Sequence, residues 1–419
     1  MGHLAGKDLY RKLGKKIDGL TARAPWNDSL YAILKELYSE DEAEVAVKMP
    51  YGVHPLEYIQ KTTGLNRDKL VKTLESMADK GLVIDMCHGE RCFYTLSPMV
   101  VGIFEFTMMR TGEGSDHKIW ARLMNDYMHG DDSFYSSNLK DKNISLPLRT
   151  LPHEEAVDPG EFSEILDYEK ATEIVKSARR FAIGICSCRH EKYHLGEKKC
   201  DVPLEMCSSF DSAADYLIRH NMGKEVSKEE MLENVAKARD MRLVFNADNV
   251  KKEVGFICMC CGCCCNALAG IKEYGYPNAV VTSRFIAKHD EDDCIGCGEC
   301  AEACPIDAIA MDDDDNPVVD ESICIGCGVC ALECATESMK LRERGQRVLY
   351  PEDTFERVIL QSLNNDTLQN LIFNNPQSKS HGFMRAVVGG FLKLPPVKQA
   401  LMGDKLRSRF LSKMREKSR

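Results

Sequence analysis

The sequence has no long apolar run. No uncharged stretch approaches the roughly 18 residues that a membrane helix needs, and the longest apolar patches, at 98–104 and 386–392, are far shorter. The basic N-terminal residues are not followed by the apolar core of a signal peptide. A glycine-rich phosphate loop, a hydrolytic triad and a flavin fingerprint are also missing. These absences predict a cytoplasmic chain with neither a transmembrane segment nor hydride chemistry of its own.

Cysteine, by contrast, is abundant, with 20 among 419 residues. Disulfide scaffolds are usually short and secreted, so many closely spaced thiols in a long chain favour metal ligation in a reducing compartment. We therefore expect Cys87 and Cys92 to be ordinary packed or solvent-facing thiols.

Charge is distributed unevenly around a formal net value of −10. Residues 288–340 hold 15 acidic residues against two lysines, whereas 379–419 hold 11 basic residues against two acids. The acidic segment is expected to dock on a basic redox partner and to lower the potential of any redox group within it.

In the basic tail, apolar residues recur every fourth position and predict a helix that lies on an anionic membrane surface, binds an acidic partner or packs on its own domain. The repeat consists of Met402, Leu406, Phe410 and Met414.

Two copies of a C-x2-C-x2-C-x3-C motif lie 30 residues apart. They consist of Cys294, Cys297, Cys300 and Cys304, and of Cys324, Cys327, Cys330 and Cys334. Three cysteines at this interval let a tight loop cover three corners of a cubane, and the glycines between them permit the positive φ angles of such a loop. Zinc is a poorer match because it takes two separated pairs of thiolates.

The repeated motif resembles a bacterial-type ferredoxin with two [4Fe–4S] clusters. In such proteins the fourth cysteine of each motif ligates the other cluster. The resemblance therefore implies one cluster on Cys294, Cys297, Cys300 and Cys334, and a second on Cys324, Cys327, Cys330 and Cys304. Pro305 follows the first motif as in the family, but Ala335 stands at the equivalent position of the second.

A second field of ten cysteines precedes this repeat. It comprises Cys186, Cys188, Cys200 and Cys207, then Cys258, Cys260, Cys261, Cys263, Cys264 and Cys265. The pattern resembles the middle region of uncharacterised multi-cluster ferredoxin-like proteins from anaerobes. Six cysteines within eight residues cannot all bind one cubane without strain, so we predict one or two further clusters with ligands from both sets. The alternative is a zinc site with spare thiols. Arg189, His190 and His194 lie among these cysteines and are candidates for tuning a cluster through hydrogen bonds.

Residues 27–97 predict three helices followed by a hairpin, an order that resembles a winged helix. The helices begin near Asn27, Pro55 and Asn66, and the hairpin turns at 88–90. The third helix carries Arg67, Lys69 and Lys72, but it also carries Asp68, Glu75 and Asp79. A neutral helix is a poor surface for nucleic acid, so we favour partner docking over DNA binding.

These patterns predict a multidomain protein of mixed α+β and α/β class. The expected parts are a winged-helix-like domain (20–112), an irregular linker or covering segment (113–160), a cysteine-rich α/β domain (161–285), a two-cluster ferredoxin domain (286–345) and a basic helical tail (346–419). The predicted function is oxygen-sensitive electron transfer as the iron–sulfur partner or subunit of an anaerobic oxidoreductase, rather than self-contained enzyme activity. The alternatives are a redox-sensing DNA-binding regulator and a catalytic middle domain with an open iron.

Overall fold

A computed structural model describes residues 2–89, 91–112, 114–139, 146–158, 165–345, 348 and 350–418. The chain divides into two compact units, one formed by Met1–Ser145 with Phe355–Arg419 and the other by Leu146–Thr354. Glu90 in the predicted turn lies outside the described residues. No helix in the described ranges is long and apolar enough to cross a bilayer.

The N-terminal part of the first unit is mainly helical. Its helices are α1 (Gly2–Asp18), α2 (Asp28–Leu37), α3 (Glu40–Lys48), α4 (Leu56–Thr63), α5 (Arg67–Asp79), α6 (Phe104–Met109), α7 (His117–His129) and α8 (Ser133–Leu139). The three predicted helices are confirmed as α2, α4 and α5, and the side chains of Asn27 and Asn66 cap the first and third. Sequence analysis missed α3, which a reciprocal capping box between Ser39 and Glu42 begins.

Three antiparallel strands accompany these helices, namely β1 (His54–Pro55), β2 (Val83–His88) and β3 (Arg91–Leu96), in the order β1-β3-β2. The β2–β3 pair confirms the predicted hairpin. The expectation of two free thiols in the hairpin is wrong, because Cys87 and Cys92 form a disulfide. The register explains the difference, since it sets these two residues directly opposite each other.

The segment 113–160 was expected to be irregular, but much of it is ordered structure. Helix α7 starts after the Asp116 cap and buries Trp120, Met124 and Tyr127 along one face. The high polar content of this segment belongs to the outer face of an amphipathic helix, which explains why composition alone misidentified it.

The second unit contains the cysteine-rich sequence. Its elements are β4 (Leu148–Leu151), α9 (Ala171–Ser177), β5 (Phe181–Ile185), α10 (Ser187–Leu195), β6 (Glu205–Phe210), α11 (Asp211–Arg219), β7 (Gly223–Glu225), α12 (Lys228–Asp240), β8 (Val244–Asp248), β9 (Phe256–Cys260), α13 (Asn266–Lys272), β10 (Phe285–His289), α14 (Glu299–Glu302), β11 (Ile309–Met311), β12 (Pro317–Val319), α15 (Val329–Leu332) and β13 (Met339–Glu343). Six of the strands form one sheet in the order β4-β8-β9-β6-β5-β7. Every pairing in it is antiparallel, so the predicted α/β class of this region is corrected to α+β.

The remaining strands belong to a ferredoxin-like module, which we define as β10 to β13. Strand β10 pairs with β13 and β11 pairs with β12, and the short helices α14 and α15 begin just after Gly298 and Gly328. Equivalent elements therefore follow each cysteine motif, as the 30-residue repeat requires. Cysteines of the module and of β9 share one apolar core with residues such as Phe285 and Ile306.

The C-terminal segment consists of α16 (Thr354–Asn364), α17 (Leu368–Ile372), α18 (Lys379–Leu392), α19 (Pro395–Met402) and α20 (Asp404–Ser418). The predicted apolar repeat of the tail does not form a free stripe. Met402, Phe410 and Met414 pack against the buried core of these helices, which leaves Leu406 as the exposed member. Of the three hypotheses for the tail, packing on its own unit is the one that the contacts support.

Candidate metal centres

The eight cysteines of the ferredoxin-like module separate into two pockets of four. The first pocket is a cavity of about 370 Å³ whose thiols are those of Cys294, Cys297, Cys300 and Cys334. The second is a cavity of about 320 Å³ whose thiols are those of Cys304, Cys324, Cys327 and Cys330. The fourth cysteine of each motif thus lies in the pocket of the other motif. This is the crossed arrangement that the resemblance implies.

Backbone amides point at the two crossing sulfurs. The amide of Ala308 donates to Cys304 Sγ over 3.1 Å, and the amide of Met339 donates to Cys334 Sγ over 3.4 Å. These donors stabilise thiolate, because a hydrogen bond to the charged form favours that form. The donors lie four residues after Cys304 and five residues after Cys334, so each half of the repeat supplies an amide from the segment that follows its fourth cysteine.

The loop around the second pocket has no room for a side chain at Gly326. Its φ of +68° lies in the left-handed region, and a Cβ there would lie 2.0 Å from the carbonyl oxygen of Phe285 and 2.3 Å from Ser283 Oγ. The Ser283 hydroxyl also donates to the Gly326 carbonyl over 2.7 Å. Glycine therefore lets this loop close on its neighbours and hold the flanking cysteines around the cavity.

The two pockets differ in burial. Cys324, Cys327 and Cys330 are buried, whereas Cys297 in the first pocket is exposed. Burial raises the pKa of the Cys327 thiol to about 12, so this thiol is protonated at neutral pH until a metal replaces its proton. Four thiols around an otherwise mainly apolar cavity form the donor set that a cubane requires, and both pockets therefore fit a [4Fe–4S] cluster.

Residues 284–346 match the family model of the 4Fe-4S dicluster domain. This segment is therefore similar to iron–sulfur dicluster domains. No curated protein and no solved structure gives a significant match to the chain. The matched residues contain all eight cysteines of the two pockets.

The ten cysteines of the middle region form two separate sulfur groups. The four-thiol group consists of Cys200, Cys261, Cys263 and Cys264, whose sulfur atoms all lie within 4.8 Å of one another. Within it, the sulfurs of Cys200 and Cys261 are 3.6 Å apart, and those of Cys263 and Cys264 are 3.5 Å apart. A hydrogen bond from the Cys264 thiol, helped by the nearby Arg189 guanidinium, lowers the pKa of Cys261 to about 4 despite its burial.

The six-thiol group comprises the other cysteines of the middle region, Cys186, Cys188, Cys207, Cys258, Cys260 and Cys265. Its thiols form a chain of hydrogen bonds from Cys207 through Cys258, Cys260 and Cys265 to Cys188. Cys186 immediately precedes α10 and interacts with Cys188 and Cys207, the two ends of this chain. Hydrogen bonds from the Cys258 and Cys265 thiols lower the pKa of Cys260 to about 6. Each group combines cysteines from both parts of the sequence.

Strand alternation explains this division. Cys258 and Cys260 are two residues apart on β9 and point to the same face of the sheet. The chain then leaves the strand, so Cys261, Cys263 and Cys264 lie in the loop before α13 and face a different site. Six cysteines within eight residues are thereby shared between two sites, which avoids the strain of crowding them around one.

Arg189 lies between the two sulfur groups. It is fully buried, and its two terminal nitrogens donate to the carbonyl oxygens of Pro203 over 2.7 Å and Met259 over 2.6 Å. Its guanidinium also interacts with the thiols of Cys186 and Cys261. The other two candidates contact each other, with a distance of 2.9 Å between His190 Nε2 and His194 Nε2.

Sequence analysis missed two residues that support these sites. The Asn246 side chain on β8 donates to Cys260 Sγ over 3.4 Å and accepts from the Thr150 hydroxyl. Gly262 packs against the backbone of Pro305, where a Cβ would lie 2.6 Å from the Pro305 carbonyl oxygen. Both contacts join segments that are far apart in sequence, and no local pattern indicates them.

Proposed function

We propose that this chain is an electron-transfer protein that passes single electrons through two ferredoxin-type clusters. The observation that carries the proposal is the division of eight cysteines into two pockets of four within one dicluster domain. A [4Fe–4S] cluster supplies one-electron chemistry when bound, and its potential depends on hydrogen bonds, charge and burial. The chain supplies the thiolates, the amide donors to Cys304 and Cys334, and the apolar walls around both cavities.

The burial of the two pockets supports an order along the relay. The first pocket opens toward solvent at Cys297 and lies beside the acidic residues of 312–315. Three of the four cysteines of the second pocket are buried, and its Pro305 wall lies against Gly262 in the middle region. Electrons would then pass between the middle region and the second pocket, and between the first pocket and an external partner.

The six-thiol group is our candidate for a further cluster. Its thiols are linked in pairs along a chain, and no three of their sulfurs, all within the described residues, lie within 4.8 Å of one another, so they are spread more widely than the ligands of a single ion. The buried guanidinium of Arg189 offsets negative charge beside it. A cluster held there would extend the relay beyond the dicluster domain.

The acidic module is our candidate for the docking surface of a basic redox partner. Exposed acidic residues at 290–293 and 312–315 lie near the cysteine motif of the first pocket. Their negative charge would attract a basic partner and speed its association with this side of the module. We propose a cytoplasmic protein of an anaerobe that serves a larger oxidoreductase.

The competing hypothesis is a redox-sensing, winged-helix regulator. The helices α3 to α5 with the β1-β3-β2 sheet are compatible with that fold, and the Cys87–Cys92 disulfide offers a redox-active pair in the hairpin. The basic residues of α5 argue against DNA binding, because Lys69 pairs with Asp41 at 2.9 Å and Arg67 with Glu57 at 3.6 Å. We therefore favour a docking role for this region.

A reductive titration under anaerobic conditions tests the proposed function. Each [4Fe–4S] cluster accepts one electron, so the full chain should take up at least two electrons with bleaching of its visible absorption. Replacement of all four cysteines of one pocket by serine should remove one of them. Uptake of fewer than two electrons by the intact protein would contradict the proposal.

A further inference from the structure

The four-thiol group differs in spacing from the two ferredoxin pockets. Among the cysteines that the structure describes, it is the group of three or more whose sulfur atoms all lie within 4.8 Å of one another. The sulfurs of each dicluster pocket lie farther apart around a cavity, since no three of these described sulfurs are within 4.8 Å of one another. A cubane needs such separation, because its iron and sulfide atoms lie between the cysteine ligands.

The spacing of the four-thiol group suits one metal ion instead. A tetrahedral site with metal–sulfur bonds of about 2.3 Å sets its ligand sulfurs about 3.8 Å apart. The sulfur–sulfur distances of 3.6 Å for Cys200 with Cys261 and 3.5 Å for Cys263 with Cys264 lie close to that value. The space between these thiols is therefore suited to one ion and too small for an Fe4S4 core.

We infer that Cys200, Cys261, Cys263 and Cys264 chelate a single divalent metal ion through four thiolates. A closed set of four sulfurs is typical of structural zinc and is also suited to a single iron. Four thiolates around a divalent ion carry a net charge of −2, and the Arg189 guanidinium beside Cys261 offsets part of it. The ion would connect the chain between α10 and β6, which carries Cys200, to the loop that follows β9.

This site would also hold the middle region against the dicluster domain. The loop of three ligands contains Gly262, which is in van der Waals contact with Pro305 beside Cys304 of the second pocket. By fixing that loop, the ion would maintain the approach between the middle region and the second pocket. The metal site itself is inferred from the sulfur geometry alone. Only the role of the Gly262–Pro305 contact in electron transfer rests on the proposed function.

Acid-labile sulfide separates the two kinds of site, because a mononuclear site contains metal but no sulfide. We would measure zinc, iron and sulfide in the full-length, anaerobically purified protein, in C263S and in C200S, with C207S in the six-thiol group as the matched control. The inference predicts that C263S and C200S each lose one metal per chain and no sulfide. X-ray absorption at the edge of that metal should give sulfur neighbours at about 2.3 Å.

Each outcome has a definite meaning. Loss of one zinc supports a structural ion, and loss of one iron without sulfide supports a mononuclear iron that adds a one-electron step. Loss of iron together with equal sulfide in C263S and C200S, or no change in either variant, would overturn the inference. Sulfide loss in C207S reports on the further cluster of the proposed function, so failure of one hypothesis is distinguished from failure of the other.

A second, independent observation concerns the exposed face of α18. Phe383, Val387, Phe391 and Leu394 are 68%, 52%, 57% and 49% exposed, and they follow one another at intervals of three or four residues along the helix and its end. Arg385 does not interrupt this stripe, because it turns inward and donates to the carbonyl oxygens of Phe373 and Asn375. An uninterrupted apolar stripe about 17 Å long on a helix surface indicates an interaction site.

We propose that this stripe binds an anionic membrane surface. Exposed Lys379 and Lys393 lie at the two ends of the stripe, and residues 379–419 together hold 11 basic residues against two acids. Aromatic and aliphatic side chains on one helix face with lysines beside them are suited to the boundary between lipid headgroups and acyl chains. Charge complementarity thus favours an anionic lipid surface as the occupant.

Vesicle flotation of the full-length protein tests this binding. The protein should float with phosphatidylglycerol-containing vesicles and not with phosphatidylcholine vesicles, and F383D/F391D should abolish flotation. V53D, which charges an exposed valine elsewhere in the first unit, is the control and should float normally. Failure to float, or equal binding to both lipids, would overturn the proposal. Self-association that F383D/F391D abolishes, without vesicle binding, would identify a second copy of the chain as the occupant instead.

Discussion

Replacing Gly326 with alanine is expected to remove the cluster of the second pocket selectively. The new Cβ would lie 2.0 Å from the Phe285 carbonyl oxygen, about 1.4 Å closer than an ordinary contact of about 3.4 Å, and that oxygen belongs to the backbone of β10. Left-handed strain costs about 1–2 kcal/mol and forced overpacking about 1–3 kcal/mol, so the total is about 2–5 kcal/mol. We expect the loop of the variant to relieve this clash by moving, which would displace Cys324 and Cys327 from the cavity.

Gly298 offers a matched control in the first motif. Its φ of +79° imposes the same kind of strain, but a Cβ there would meet only Met311 Cγ, at 4.0 Å. We therefore expect G298A to retain both clusters with a loss of about 1–2 kcal/mol in stability. Iron and sulfide analysis with EPR of the reduced protein compares the two variants. If G326A kept its full iron content, or if G298A lost as much, steric closure around Gly326 would not be what shapes the second pocket.

Three further predictions follow from particular contacts. In C334S, EPR should lose the signal of the more exposed cluster, and in C304S that of the buried one; the reverse result would contradict the crossed ligand sets. D313N/D314N should raise the reduction potential of the first cluster and weaken the salt dependence of its reaction with a basic acceptor. E229Q on α12, the control, should change neither property. Equal effects of the two variants would refute the role of local charge. Burial, followed by the charge of Arg385, holds the pKa of Lys16 well below its usual value of 10.5. Between these two pKa values the unfolded chain binds more protons than the folded chain. The free energy of unfolding of the first unit should therefore rise with pH towards 10.5. K16M should remove that rise in denaturant unfolding followed by the fluorescence of the two tryptophans, both in the first unit; an unchanged pH slope would show that Lys16 is not its origin.

The sequence was most informative where ligand spacing is rigid. The cysteine motifs near Cys294 and Cys324 predict two pockets because loop geometry and ligand number leave few arrangements, and the structure brings those cysteines together in the expected sets. Local helix signals were also sufficient for α2, α4 and α5. These features depend on interactions within a few residues or on a repeated motif.

The sequence did not reveal which cysteines would pair or group together. Cys87 and Cys92 form a disulfide because the hairpin register opposes them, and cysteine content alone favoured reduced thiols. The sharing of middle-region cysteines between two groups depends on where β9 ends. The apolar repeat of the tail and the stripe on α18 look alike in sequence, and only packing reveals that the first is mostly covered and the second is exposed.

Iron and sulfide content with EPR of the anaerobically purified, dithionite-reduced protein tests the central claim most directly. Two adjacent [4Fe–4S] clusters predict at least about eight irons and eight sulfides per chain and a spectrum broadened by spin coupling between the clusters. A further cluster in the six-thiol group adds irons and sulfides in equal number, with a signal lost in C258S. About four irons, or two signals without spin coupling, would contradict a relay through adjacent clusters in this domain.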